Sequence, residues 1–148
     1  MALEPVVLGP GVGVVLDTNI VLDLFVFDDP AVAPLRAAIE ARSMQWLATA
    51  AMREELARVL AYPQIVRSLT NRALEAQHVL ARFDMLAELL PDAPKATVTC
   101  KDPDDQRFID LAVAHGARLL SKDNAVLCMV RRLERLGVAA GRACHVSS

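Results

Sequence analysis

Four carboxylic acids, Asp17, Glu55, Asp105 and Asp123, stand at positions where an ordinary surface acid has no reason to be. Asp17 closes the Val-rich apolar run 12–16, where a short buried strand would end. Glu55 falls within a helical pattern over 50–61. At about 100° per residue, Met52, Leu56, Val59 and Leu60 form one apolar stripe, and Glu55 lies inside it. Its neighbour Glu54 falls on the far side with Arg58, as a solvated acid should. Asp105 repeats the pattern after Pro103, sharing a face with Phe108, Ile109 and Ala112, while Asp110 turns away beside Gln106 and Arg107. Asp123 follows the run 117–121, again at a strand's carboxyl end. A carboxylate on a buried face is costly unless something pairs with it.

Each acid also has a plainer explanation. Asp17 and Asp123 suit helix N-caps. Glu55 fits the rim of its stripe or a buried arginine partner. Asp102 and Asp104 stand near a helix start, where the dipole favours negative charge. Together, however, the four acids come from four separate elements, and in a parallel sheet they converge at one edge. Carboxylates gathered in that way stay ionised only beside cations. All-oxygen donors select Mg²⁺ or Mn²⁺ over Zn²⁺. No softer site competes: His78, His115 and His145 lack ligand spacing, and Cys100, Cys128 and Cys144 are an odd set that reads as free thiols in a reducing compartment.

The elements that must position these acids follow from periodicity and punctuation. Strands are expected over 12–16, 45–48, 97–100, 117–121 and 143–146. Helices are expected over 20–26, from Pro30 to 42, and over 50–61, the last capped by Thr49 and stopped by Pro63. Three more are expected: 71–90 capped by Thr70, 103–115 with Asp102 as cap and Gly116 as stop, and 124–136 closed by Gly137. Alternating strands and helices predict an α/β sandwich around a mainly parallel sheet. In such a fold the site lies beyond the carboxyl ends of the strands.

The bulk properties set limits. The 148 residues suit one domain, and 54% hydrophobic against 23% charged residues excludes disorder. Aromatics make up only 4%, so the core is expected to be aliphatic. No apolar run spans a bilayer. The N-terminus has no basic region and carries Glu4, which argues against a signal peptide and for a cytoplasmic protein. A net charge of −2 supplies no general attraction for phosphates. A nucleic-acid partner would therefore depend on cations and local patches.

The ordered set of motifs resembles PIN domains, in particular the bacterial VapC-like ribonucleases of toxin–antitoxin systems. The matching pieces are Val15-Leu16-Asp17-Thr18-Asn19, Thr49 with Glu55-Leu56 and Val59-Leu60, Asp102-Pro103-Asp104-Asp105, and Leu119-Leu120-Ser121-Lys122-Asp123. The resemblance covers about 14–127 of a single domain over 1–148, in which 1–12 is an extension without an assigned role. It implies a three-layer α/β/α sandwich and Mg²⁺- or Mn²⁺-dependent endonucleolytic hydrolysis of single-stranded RNA, leaving a 5′-phosphate and a 3′-hydroxyl. Asp17, Glu55, Asp105 and Asp123 would be the catalytic, metal-holding acids, with Thr18, Asn19, Thr49 and Asp102 as their polar shell. A cognate antitoxin and a homodimer are the partners it suggests besides RNA. Lys101, Lys122 and Arg53, with Arg58 and Arg107, are candidates to guide the RNA backbone. Stacking aromatics are scarce, so no base reading is expected.

The fourth motif departs from the family pattern. It usually reads Thr-Gly-Asp, then another Asp and a Leu, whereas this chain has Ser121-Lys122-Asp123-Asn124-Ala125. A PIN domain weakened there could serve as a binding module instead of an enzyme. An aspartate-dependent phosphatase with Asp17 as nucleophile is the other rival, but such sites want a second acid where Asn19 stands.

Overall fold

Short aliphatic runs form strands and amphipathic stretches form helices, as a computed structural model shows for residues 4–147. In chain order these are β1 (Val6–Leu8), β2 (Gly13–Leu16), α1 (Thr18–Phe25), α2 (Ala33–Glu40), β3 (Gln45–Ala48) and α3 (Ala50–Leu60). They continue with α4 (Pro63–Asn71), α5 (Ala76–Leu86), β4 (Ala87–Leu89), α6 (Gln106–His115) and β5 (Arg118–Leu120). The chain ends through α7 (Asn124–Leu127), α8 (Val130–Arg135), β6 (Ala140–Gly141) and β7 (Cys144–Val146).

Five strands pair in the order β4-β3-β2-β5-β6, every pair parallel. From β2 the chain steps twice in one direction, to β3 and then β4. It next crosses back to β5 and on to β6. Crossovers between parallel strands are right-handed, so this reversal puts the first group of helices on one face and α6–α8 on the other. The result is the three-layer α/β/α sandwich with a parallel sheet that the sequence predicts. The reversal also makes the β2–β5 boundary a switch point, where the outgoing connections part and leave a crevice.

The sparse aromatics are concentrated in the core. Trp46 on β3 is buried, stacks on Phe25 of α1 at 6.0 Å and meets Phe83 of α5 edge-on at 5.0 Å. These three rings tie two helices to the sheet centre, and aliphatic residues fill the remainder.

Several expected elements are redrawn. Pro63 starts α4 instead of merely ending α3, because its missing N–H falls at the first helical turn, where no partner is required. The helix expected over 71–90 is interrupted before it starts: α4 ends at Asn71, Ala73 adopts a left-handed φ of 54°, and α5 begins at Ala76. Its tail becomes the edge strand β4, because Ala87 pairs with Trp46. Residues 97–100 form no strand. Their path is fixed by Gln106, whose side chain accepts from Cys100 N at 2.7 Å and donates to Val98 O at 3.0 Å. The helix over 124–136 divides into α7 and α8 around Met129, which is fully buried. Within the span expected to be an extension, β1 pairs with β7 in a separate parallel sheet and buries Val6 and Leu8.

The central ring cluster gives a direct test. Trp46→Ala is expected to destabilise the protein by about 3–5 kcal/mol. Urea unfolding followed by circular dichroism measures this, and a loss under about 1 kcal/mol would show that the cluster is not the core's centre.

Candidate metal centre

The switch point is occupied by acids. Asp17 continues β2 by one residue, its N–H donating to Leu120 O at 3.0 Å, and then caps α1. Its Oδ1 accepts from Ile20 N at 3.0 Å, and its Oδ2 accepts from Ser121 Oγ at 2.5 Å and Lys122 N at 3.3 Å. The capping explanation of Asp17 is therefore correct, and it coexists with a place in the crevice. Burial pushes its carboxyl above the usual carboxylate range, the three donors offset this only in part, and the charge of Asp123 adds to it.

Glu55 is half-buried at the rim of the α3 stripe, and Glu54 is exposed. Thr18 Oγ1 donates to Glu55 Oε2 at 2.5 Å, joining α1 to α3 beside Asp17. Asp105 ends the 3-10 turn Pro103–Asp105 that precedes α6, so it stands before the α-helix and not on it. It is buried as the periodicity predicts, and its Oδ2 has no hydrogen-bond partner. Its carboxyl is pushed up to about 8, first by burial, then by the hydrogen bond that its protonated form gives Asp123 and by the charges of Asp123, Asp102 and Asp17.

Asp123 caps α7 through Ala125 N at 2.9 Å, and Asp102 caps the 3-10 turn through Asp104 N at 2.9 Å. One carboxylate oxygen from each of Asp102, Asp105 and Asp123 lies within 4.8 Å of the others. The sequence placed Asp102 only in the polar shell, whereas here it joins the tightest trio. All four expected acids, with Thr18, Asn19 and Asp102, line a single cleft of about 430 Å³.

The residues fit a hard divalent cation. The donors converging on the cleft are carboxylates without a histidine or cysteine among them. Buried oxygens such as Asp105 Oδ2 are expensive to leave unpartnered, and a cation between the three acids would satisfy it.

Other expected positions fall elsewhere. Thr49 caps α3 through Met52 N at 3.4 Å and lines a neighbouring cavity of about 270 Å³ with Arg107 and Asp110, outside the acid cleft. Arg53 forms a forked pair with Asp84 at 2.6 and 2.8 Å. Lys122 Nζ reaches the buried Asp23 at 2.6 Å. The cationic charge of both residues is thus committed within the protein, and Lys101 is exposed away from the cleft lining.

Sequence reasoning passed over residues of this region, Ser121 and Asp23 among them. Ser121 is buried and bridges two acids: its Oγ donates to Asp17 and accepts from Asp123 N at 3.0 Å. The available signal was a hydroxyl directly after the apolar pair Leu119-Leu120. Asp23 was the second, an acid embedded among Val21, Leu22 and Leu24.

A parallel sheet between helix layers, with a carboxylate cluster at its switch point, defines an α/β protein with a candidate cation site. The model of the family described as "PIN domain" matches residues 13–125. The chain belongs to the PIN domain family, whose members are generally metal-dependent nucleases. No curated protein matches the chain. Among the described residues, no helix is long and apolar enough to cross a membrane.

The raised carboxyl of Asp105 has a signed consequence. The folded protein holds this proton up to about pH 8, whereas an unfolded aspartate releases it near about pH 4. Between those values folding takes up a proton, so Asp105 lowers stability progressively as pH rises, and the loss levels off above its folded pKa. Thermal melts of metal-free protein across that window should show a steeper decline for the unaltered chain than for Asp105→Asn. Parallel curves would contradict the assignment.

Proposed function

We propose that the protein is a Mg²⁺- or Mn²⁺-dependent endoribonuclease that hydrolyses phosphodiester bonds of single-stranded RNA. The observation that carries this reading is the convergence of Asp102, Asp105 and Asp123, with one buried Asp105 oxygen unpartnered, in a cleft shared with Asp17 and Glu55. A bound divalent cation supplies Lewis-acid chemistry, activating water and offsetting charge that develops on phosphate oxygens.

The chain's own residues prepare that chemistry. Asp102, Asp105 and Asp123 would hold the cation, and Asp105 must release its proton to do so. Ser121 and the backbone N–H groups of Ile20 and Lys122 fix the Asp17 carboxylate. Thr18 fixes Glu55 in the same way, so neither acid needs to reorganise when substrate arrives. Asn19 lines the cleft as a further polar group. The net reaction adds water across a P–O bond and yields a 5′-phosphate and a 3′-hydroxyl.

The VapC-like order of motifs supports a toxin role, with a cognate antitoxin as protein partner and a homodimer as the assembled form. The three cysteines are free, in keeping with action in the cytoplasm. A second reading has one observation in its favour: Asn124 and Ala125 stand where the fourth motif usually continues with an acid and a leucine. In that reading the domain binds nucleic acid or protein without cutting.

Incubation with a generic single-stranded RNA separates the two. Cleavage should require Mn²⁺ and disappear in EDTA. Loss of partners around a ligand alone costs about 10–100-fold. Asp17→Asn and Glu55→Gln should therefore each reduce the rate by about 100-fold or more. An inert wild type whose melting temperature ignores Mn²⁺ would favour the binding module.

A further inference from the structure

We propose that Tyr62 is a stacking platform for one base of a single-stranded nucleic acid, on the wall of the acid cleft that α3 and α4 contribute. The inference rests on the nuclease reading above and names where the strand beside the reacting phosphate is held.

Tyr62 is the chain's single tyrosine and its only exposed aromatic among the described residues. It is 48% exposed, whereas Phe25, Trp46, Phe83 and Phe108 are buried and Phe27 is half-buried. An exposed aromatic alone means little, since single apolar residues are common on surfaces. Its location is what matters. Tyr62 lines the acid cleft, and with Val59 and Ile65 it forms a wall contributed by α3 and α4.

The backbone beneath the ring is fixed. Tyr62 N–H donates to Val59 O at 3.0 Å, and its carbonyl accepts from Ile65 N and Val66 N, both at 2.9 Å. Pro63 follows and holds Tyr62 in the extended region, with φ −65° and ψ 139°. A ring on so rigid a corner loses little freedom when a base stacks on it.

The charge of this segment is also distinctive. Between Leu56 and Leu74 every charged residue is an arginine: Arg58, Arg67 and Arg72. All three are exposed, and none makes an ion pair among the described residues. Arg53 and Lys122 are already paired and Arg72 lies over the Phe27 ring at 5.7 Å, so Arg58 and Arg67 are the cations of this segment without a partner among the described residues. Gln64 also lines the cleft and offers an amide to a base edge. A strand with its phosphate at the acids and a flanking base against Tyr62 uses both walls. In a duplex the bases are already stacked and out of reach, so the platform selects single strands.

The test is fluorescence anisotropy with a labelled single-stranded RNA oligonucleotide, with Ca²⁺ replacing Mn²⁺ to keep the strand intact. Tyr62→Ala should weaken binding about 10-fold, and Tyr62→Phe, which keeps the ring, should bind like the unaltered protein. Arg58→Gln and Arg67→Gln should each lower the slope of log Kd against log salt by about 0.7. Equal affinity of Tyr62→Ala and the unaltered protein would overturn the platform, as would equal losses in the Ala and Phe variants or no binding at all. Calorimetric Mn²⁺ binding and RNA cleavage by the same preparations keep the two readings separate. If both persist while Tyr62→Ala binds normally, only the platform fails. If both are absent, the nuclease reading fails as well.

Discussion

The parallel pairing of β2 with β5, register Leu16 to Leu120, is the constraint on which the site depends. It ends both strands at the same level, and the Asp17 N–H to Leu120 O bond extends the ladder to the first acid. Because the strand order reverses at this pair, the connections leaving β2 and β5 go to opposite faces of the sheet, and a crevice opens beyond their carboxyl ends. Ser121 follows β5 directly and delivers its hydroxyl to Asp17 and its acceptor to the Asp123 N–H. One backbone register therefore sets two of the acids. The 3-10 turn before α6 and the rim of α3 bring the others to the same opening.

Holding these acids together opposes folding, and the structure shows how the opposition is managed. Asp17 receives three donors, which offset part of the burial that raises its carboxyl. Asp105 is raised by burial and by the neighbouring acids Asp123, Asp102 and Asp17, so it retains a proton that a cation can displace. The side chain of Lys122, unlike its backbone N–H, does not share in this compensation. Its ammonium is committed to Asp23, a buried acid that α1 would otherwise leave unpaired. A residue that replaces a glycine of the family pattern has thus become part of the scaffold behind the site.

Much of this was legible in the sequence because periodicity records burial directly. The inward Asp105, the contrast between half-buried Glu55 and exposed Glu54, and the strand over 45–48 all follow from the pattern of apolar residues, whereas Glu55 lies at the rim of the stripe and not inside it. The caps Thr49, Asp102 and Gly116 follow from local backbone chemistry. Strands of two or three residues, such as β1, β4 and β6, are too short to generate a period, and their pairing is decided by tertiary contacts. Ion-pair partners separated by many residues are also hidden in a sequence, so Arg53 and Lys122 looked free when they were not. Tyr62 was hidden for another reason: one aromatic in a sparse set carries no pattern until the fold places it on the cleft.

A divalent cation held by Asp102, Asp105 and Asp123 must displace the proton that Asp105 retains. Calorimetric titration of Mn²⁺ at neutral pH, in two buffers of different ionisation enthalpy, counts the protons released on binding. The account predicts release of about one proton per cation by the unaltered protein and none by Asp105→Asn. Binding without proton release, or identical release by both proteins, would contradict it.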